Sequence, residues 1–219
     1  MMIHLVRHGQ TPWNRDGLFR GRHDVPLSDA GKRQAVAVAE FLGGRPVRHL
    51  YTSPLSRSAQ TASIIAEKVG CPVREHEGLI DVDFGQWEGK TAGEVSSIFA
   101  RSYTRYKNQP ERAAFPGGES LNGCFERAVR TLHQITVEVE AGKAGEDEAR
   151  RDDTVIVSHR VILKLMILGI LGLSTAQFWR IQLDTCSITE VIYEKGCFIL
   201  HNLNGTCHLG EAGGHGADF

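Results

Sequence analysis

The chain has 219 residues, 41% hydrophobic and 23% charged, with a formal net charge of −1. These are the statistics of one ordinary folded domain, and they exclude a disordered chain and a small scaffold that needs disulfides or a structural metal. The near-neutral charge argues against nucleic acid or acidic membranes as partners, and the most apolar run, Val161 to Leu173, contains Lys164 and is too short to cross a bilayer.

Ile3 to Val6 is a short apolar run that stops at a polar, Gly-containing loop, the pattern of a buried strand. Ser28 is a candidate N-cap for a helix whose apolar positions Ala35, Val38, Ala39 and Leu42 end at Gly43 and Gly44. Val47 to Tyr51 reads as a second strand and Ser56 to Val69 as a second helix, with Gly70 as its stop. The stretch from Leu79 to Pro116 is less regular, with one helix expected near Thr91 to Tyr106. It is taken as an insertion over one sheet edge, centred on about 90–116. A long helix follows from about Ser120 to Ala141, then a charged, solvated loop from Gly142 to Asp153. Thr154 to Val157 is the clearest strand, and an apolar helix from Arg160 to Leu171 succeeds it. Ser187 to Tyr193 and Cys197 to His201 form a hairpin through Glu194-Lys195-Gly196, and the Gly-rich tail from about 210 is expected to be mobile. Alternation of strands with crossover-length helices predicts a single three-layer α/β/α domain around a mostly parallel sheet.

Three segments with basic or histidine side chains each follow a predicted strand: Arg7-His8-Gly9, Ser53 to Arg57, and Ser158-His159-Arg160. Ligands of open α/β sheets bind beyond the carboxyl ends of the parallel strands, so these segments are expected to meet in one cleft. Arg7, His8, Arg57 and His159 are cationic or can become so, and an anion such as a phosphate is their natural ligand. Each alone is more simply a hydrogen-bonded surface residue. It is the set of four at strand ends that points to a site.

These residues lie in ordered blocks: Leu5 to Thr11 with Trp13-Asn14, Gly21 to Leu27, Ser53 to Arg57 with Thr61-Ala62, Asp83 to Gly89, Pro116 to Ser120, and Val157 to His159. In this order they resemble the histidine phosphatase superfamily, which includes the cofactor-dependent phosphoglycerate mutases. The resemblance implies a phosphoglycerate mutase-like fold and a phosphatase acting on a small soluble phosphate ester. His8 would be the nucleophile that accepts the phosphoryl group, with water hydrolysing the phosphohistidine. Arg7, Arg57 and His159 would disfavour protonation of His8, attract the phosphate and stabilise its transferring oxygens, so that neither metal nor cofactor is required. Asn14 would donate a further hydrogen bond, and Gly9 would let the backbone approach the ring of the nucleophile.

Four positions depart from the commonest family pattern or refine it. The general acid, usually Glu in the mutase relatives, falls on Asp81. Asp83 stays open as a rival because both would share a face if they lay in a strand, whereas Glu88 reads as an exposed or structural carboxylate. Arg160 stands where many relatives have Gly, either as a solvent-facing helix start or as an extra cation at the pocket rim, and Arg20, Arg22 and His23 raise the same alternative. The segment from Asn204 to Glu211 resembles the tail of metal-independent phosphoserine phosphatases, which makes His208 a candidate for substrate recognition. Phe84, where those enzymes have His, replaces a donor by an apolar wall and puts phosphoserine in doubt. A metal site from Cys207, His208 and His215 is not expected, because the Gly-rich tail would have to be ordered to form it.

A mutase, and a phosphate-binding module without catalysis, are the competing functions. The five cysteines are odd in number and never spaced CxxC, and the opening MMIHLVRHG lacks the apolar core of a signal peptide. A reducing cytoplasmic compartment is therefore expected. Oligomeric state is left open, a homodimer being one option.

Overall fold

The computed structural model describes residues 1–142 and 152–212. The expected loop after Gly142 and the tail beyond Ala212, His215 included, lie outside the described residues. One six-stranded sheet forms the centre, in the order β3-β2-β4-β1-β5-β6. Its strands are β1 (Met2–Arg7), β2 (Val47–Thr52), β3 (Val73–Glu75), β4 (Asp153–Ser158), β5 (Ile188–Glu194) and β6 (Cys197–Gly205). The first four pair in parallel, and β5 and β6 add an antiparallel hairpin beside β1.

The pleat divides the core into two layers. Ile3, Leu5 and Ile156 point to one face, where they pack with residues of α6 (Leu121–Gly142) and α7 (Arg160–Ile170). Val6, Val155 and Val157 point to the other, against α2 (Asp29–Leu42) and α3 (Ser56–Val69). The helix ends follow the expected signals: Ser28 Oγ accepts from the Gly31 amide at 3.1 Å, and Gly70 closes α3 in the left-handed conformation (φ 68°).

Two elements differ from expectation. A single turn, α1 (Pro12–Arg15), follows the first strand and is held by a reciprocal Thr11–Asn14 capping box. The helix expected near Thr91 to Tyr106 is two helices, α4 (Ala92–Ile98) and α5 (Ala100–Asn108), because Phe99 leaves the helical conformation (φ −119°, ψ 39°) and packs against the core. The stretch containing them sends side chains into the core. Its aromatic residues Trp87, Tyr106 and Phe115 join Phe19, Phe84 and Phe178 in the cluster built on α6 and α7. Its start is tied to the end of β4, where Ser158 Oγ donates to the Leu79 carbonyl at 2.8 Å.

Strand periodicity passes over one residue of β1. His4 is fully buried, with Nε2 3.0 Å from Asp153 Oδ2 on β4 and Nδ1 3.5 Å from Glu190 Oε1 on β5. Arg45 also reaches Glu190, at 3.2 Å. The imidazole thus joins three strands at the end of the sheet opposite His8. Substitution His4→Leu removes the partner shared by two buried carboxylates and is expected to lower the unfolding free energy by about 2–3 kcal/mol. Urea denaturation measures it, and an unchanged midpoint would contradict the role.

Candidate active site

The carboxyl ends of β1, β2 and β4 deliver the residues in three steps. Arg7 ends β1 fully buried, and its Nη1 donates to the Leu183 carbonyl at 2.6 Å. His8 follows, with its amide donating to the Ser158 carbonyl at the end of β4 (3.0 Å). His159 is the N-cap residue of α7, and Arg57 sits in the first turn of α3, just beyond β2. The ring centroids of His8 and His159 are 5.2 Å apart.

Hydrogen bonds fix both imidazoles. His8 Nδ1 lies 2.7 Å from the Gly9 carbonyl, which can only accept, so Nδ1 carries the proton and the lone pair is on Nε2. Arg57 Nε donates to His159 Nδ1 at 3.2 Å, which puts the proton of the neutral His159 ring on Nε2, 2.8 Å from Ser53 Oγ. Burial lowers the His8 pKa well below the usual imidazole range, and Arg57, Arg7 and Arg20 lower it further against the pull of the Gly9 carbonyl. His159 is lowered in the same way, by burial first and then by Arg57 and His8.

Arg57 is the hub. Its Nη1 donates to the His23 carbonyl (2.9 Å), and Nη2 donates to the Gly21 carbonyl (2.7 Å) and Asp81 Oδ2 (3.0 Å). Asp81 is itself buried, with Oδ2 3.6 Å from His159 Nδ1 and Oδ1 accepting from the Val82 amide at 2.9 Å. Asp81 and Asp83 are not in a strand, so the face they would share there does not arise. Asp83 Oδ1 instead accepts from the Gly85 amide at 2.8 Å and turns the backbone there. Glu88 clamps the Arg22 and Phe84 amides, and burial raises its pKa.

A small cleft lies beside Asp81, lined by Arg20, Arg160, Phe84 and Gly21 among others. Arg160 is only 8% exposed, so the solvent-facing reading of that residue does not hold. Phe84 gives one side to the cleft and another to Phe19 and Phe115, at ring distances of 5.0 and 4.7 Å. Arg22 and His23 turn to other partners: Arg22 Nη2 donates to Glu119 (3.0 Å), and the His23 ring stacks on Trp13 (4.7 Å). His208 does not line this cleft. It is half-buried, bonded through Nε2 to the Cys186 carbonyl at 3.0 Å, with its ring beside Phe41.

Gly9 is required by α2, since a Cβ there would lie 2.5 Å from the Gly31 carbonyl oxygen. Asn14 Oδ1 is occupied by the Thr11 amide and hydroxyl, both at 3.0 Å, which leaves donation to its amide nitrogen. Sequence reading passed over Ser53, Glu119 and Arg127. Glu119 and Ser53 lie within the recognised blocks. The signal for Arg127 is a charge three residues after buried Cys124, on the apolar stripe of α6. Among the described residues no group of three or more His, Cys, Asp or Glu side chains is arranged to hold a metal ion.

The fold and this constellation together define a phosphoglycerate mutase-like α/β domain with two buried imidazoles among arginines. The chain belongs to the histidine phosphatase superfamily (branch 1), whose family model matches residues 3–206. It is 32% identical over 207 residues to phosphoserine phosphatase 1 of Hydrogenobacter thermophilus, covering 94% of this chain and 93% of that one. It is also 32% identical over 195 residues to a probable phosphoglycerate mutase GpmB of Klebsiella pneumoniae, covering 89% and 86%. Among solved structures, the phosphoserine phosphatase of Entamoeba histolytica in complex with 3-phosphoglyceric acid superposes with a TM-score of 0.81 at 29% identity, covering 95% and 98%.

The buried imidazoles make folding pH-dependent with a definite sign. Folded His8 and His159 resist protonation, whereas in the unfolded chain they protonate near pH ~6.5. Below that pH the unfolded state binds more protons, so their stabilisation is present above it and is lost on acidification, at up to about 1.4 kcal/mol per pH unit for each residue. Urea midpoints are expected to fall between about pH 7 and pH 5.5, and His159→Gln to flatten the slope by an amount that rises toward about one proton at the acidic end. An unchanged slope in the variant would contradict the burial argument.

Proposed function

We propose that this chain is a phosphatase that hydrolyses a small phosphomonoester through a phosphoryl group carried on His8. The observation that carries the reading is the Gly9 carbonyl bond to His8 Nδ1, which turns a neutral Nε2 lone pair into the nucleophile beside Arg7, Arg57 and His159. Nε2 attacks phosphorus, the bond to the ester oxygen breaks, and Asp81 gives its proton to the departing alkoxide. Water then attacks phosphorus and gives a proton back to Asp81, the P–N bond breaks, and inorganic phosphate leaves.

Arg7, Arg57, His159 and the amide nitrogen of Asn14 take the equatorial oxygens, the service a divalent cation performs in many other phosphoryl-transfer sites. Arg20, Arg160 and Phe84 meet the alcohol part of the substrate. His208 is left out of this assignment because its ring is committed to Cys186. The relatives named phosphoserine phosphatase support hydrolysis. The relative named a probable phosphoglycerate mutase supports a second reading, in which the phosphoryl group returns to substrate instead of water. Turnover in ¹⁸O-labelled water separates them: label in released phosphate marks hydrolysis, and unlabelled positional exchange marks a mutase.

With a chromogenic aryl phosphate, whose leaving group needs little acid assistance, His8→Ala is expected to abolish turnover and a chelator to leave the rate unchanged. Residual turnover in the variant would overturn the nucleophile assignment. With a simple alkyl phosphate, Asp81→Asn is expected to lower kcat by about 100-fold or more. If Asp83→Asn lost that activity and Asp81→Asn kept it, the acid would be Asp83.

A further inference from the structure

A proton donor serves only if its carboxyl is held close to the geometry of the reacting bond, since a displacement of about 1 Å can cost on the order of 100-fold in rate. Asp81 has no regular element to hold it, because residues 81–84 belong to neither helix nor strand. The backbone around it is held instead by a side chain from another layer. Arg127, in the second turn of α6, donates through Nη1 to the carbonyls of Gly78 (3.0 Å) and Ile80 (2.7 Å), and through Nη2 to the carbonyl of Asp81 (3.4 Å). The same guanidinium grips Glu119, with Nη2 2.9 Å from Oε2 and Nε 3.3 Å from Oε1. Glu119 Oε2 accepts from the Asp83 amide at 3.0 Å, while the Glu119 amide donates to the Asp83 carbonyl at 3.0 Å. Backbone on both sides of Asp81 is thereby tied to one ion pair.

We propose that Arg127, braced by Glu119, is the positioning residue of the proton donor: it fixes the irregular backbone of residues 78–83 and acts on the reaction only through the Asp81 carboxyl. This rests on the assignment of Asp81 as the acid made above. Arg127 lies on the buried side of α6 beside Cys124, whose sulfur is 3.4 Å from Nη2, and is not among the cleft-lining residues. Its geometry explains why the residue is arginine. Three carbonyls and a carboxylate are met by one rigid planar fork of donors, which an ammonium cannot reproduce.

The experiment uses two substrates, an aryl phosphate and an alkyl phosphate, with wild type, Arg127→Met, Arg127→Lys, Asp81→Asn and the double variant Arg127→Met with Asp81→Asn. Arg127→Met is expected to lose about 10- to 100-fold in kcat on the alkyl ester and less than about 3-fold on the aryl ester, with KM moving by less than about 2-fold on either. Arg127→Lys should fall between it and wild type. In the Asp81→Asn background, Arg127→Met should cost nothing further on the alkyl ester, because the two act as one unit. The ratio of the two rates on a single preparation does not depend on how much of the enzyme is folded, so a poorly folding variant still gives an answer. Equal loss on both substrates, or further loss in the Asp81→Asn background, would overturn the proposal. If Asp81→Asn alone shows no loss confined to the alkyl ester, the acid assignment falls and takes this proposal with it. That outcome is distinct from failure of the clamp alone.

Discussion

Arg57 carries a permanent positive charge with none of its surface open to water, and the site is arranged around that constraint. A buried guanidinium persists only if its donors are matched. Here they meet two carbonyls, a carboxylate and an imidazole. Those partners come from three places in the chain: the Gly21 to His23 loop, the irregular segment at Asp81, and the turn after β4. One charge therefore joins the loop that borders the cleft, the candidate acid and the second histidine. Losing any one partner would leave donors unsatisfied where water cannot replace it.

The same charge sets the chemistry of the imidazoles. Burial and the fields of Arg57, Arg7 and Arg20 act in one direction on His8, toward a neutral ring with its lone pair on Nε2. A tetrahedral dianion suits such a cationic surrounding. The aromatic cluster of Phe19, Phe84, Trp87, Tyr106 and Phe115 contributes rigidity. It holds Phe84, which lines the cleft, against Phe19, Trp87, Tyr106 and Phe115.

Much of this arrangement was legible in the sequence, because the features concerned have short periods or local signals. Val6, Val155 and Val157 on one face and Ile3, Leu5 and Ile156 on the other follow from apolar runs, and α3 runs from Ser56 to its Gly70 stop as expected. Arg7, His8, Arg57 and His159 could be gathered because all four follow strands of a parallel sheet. What was hidden depends on contacts distant along the chain. β3 is three residues long and exposed throughout, so it has no apolar pattern, and Phe99 breaks a helix for the sake of its packing. Gly9 answers to Gly31 of α2, and Arg127 answers to carbonyls more than forty residues earlier. No local rule reports on either. The irregular backbone at Asp81 and Asp83 has the same origin: the hydrogen bonds a strand would make to a neighbour are made to the side chains of Arg127 and Glu119.

The central claim is that a neutral His8, held as its Nδ1–H tautomer by the Gly9 carbonyl, attacks through Nε2. The most direct measurement is rapid alkaline quenching of the enzyme during turnover of a phosphomonoester, followed by identification of the phosphorylated peptide and of the ring nitrogen that carries the phosphoryl group. The account predicts phosphorylation of His8 at Nε2. Phosphate on Nδ1, on His159, or on no histidine while turnover proceeds would contradict it.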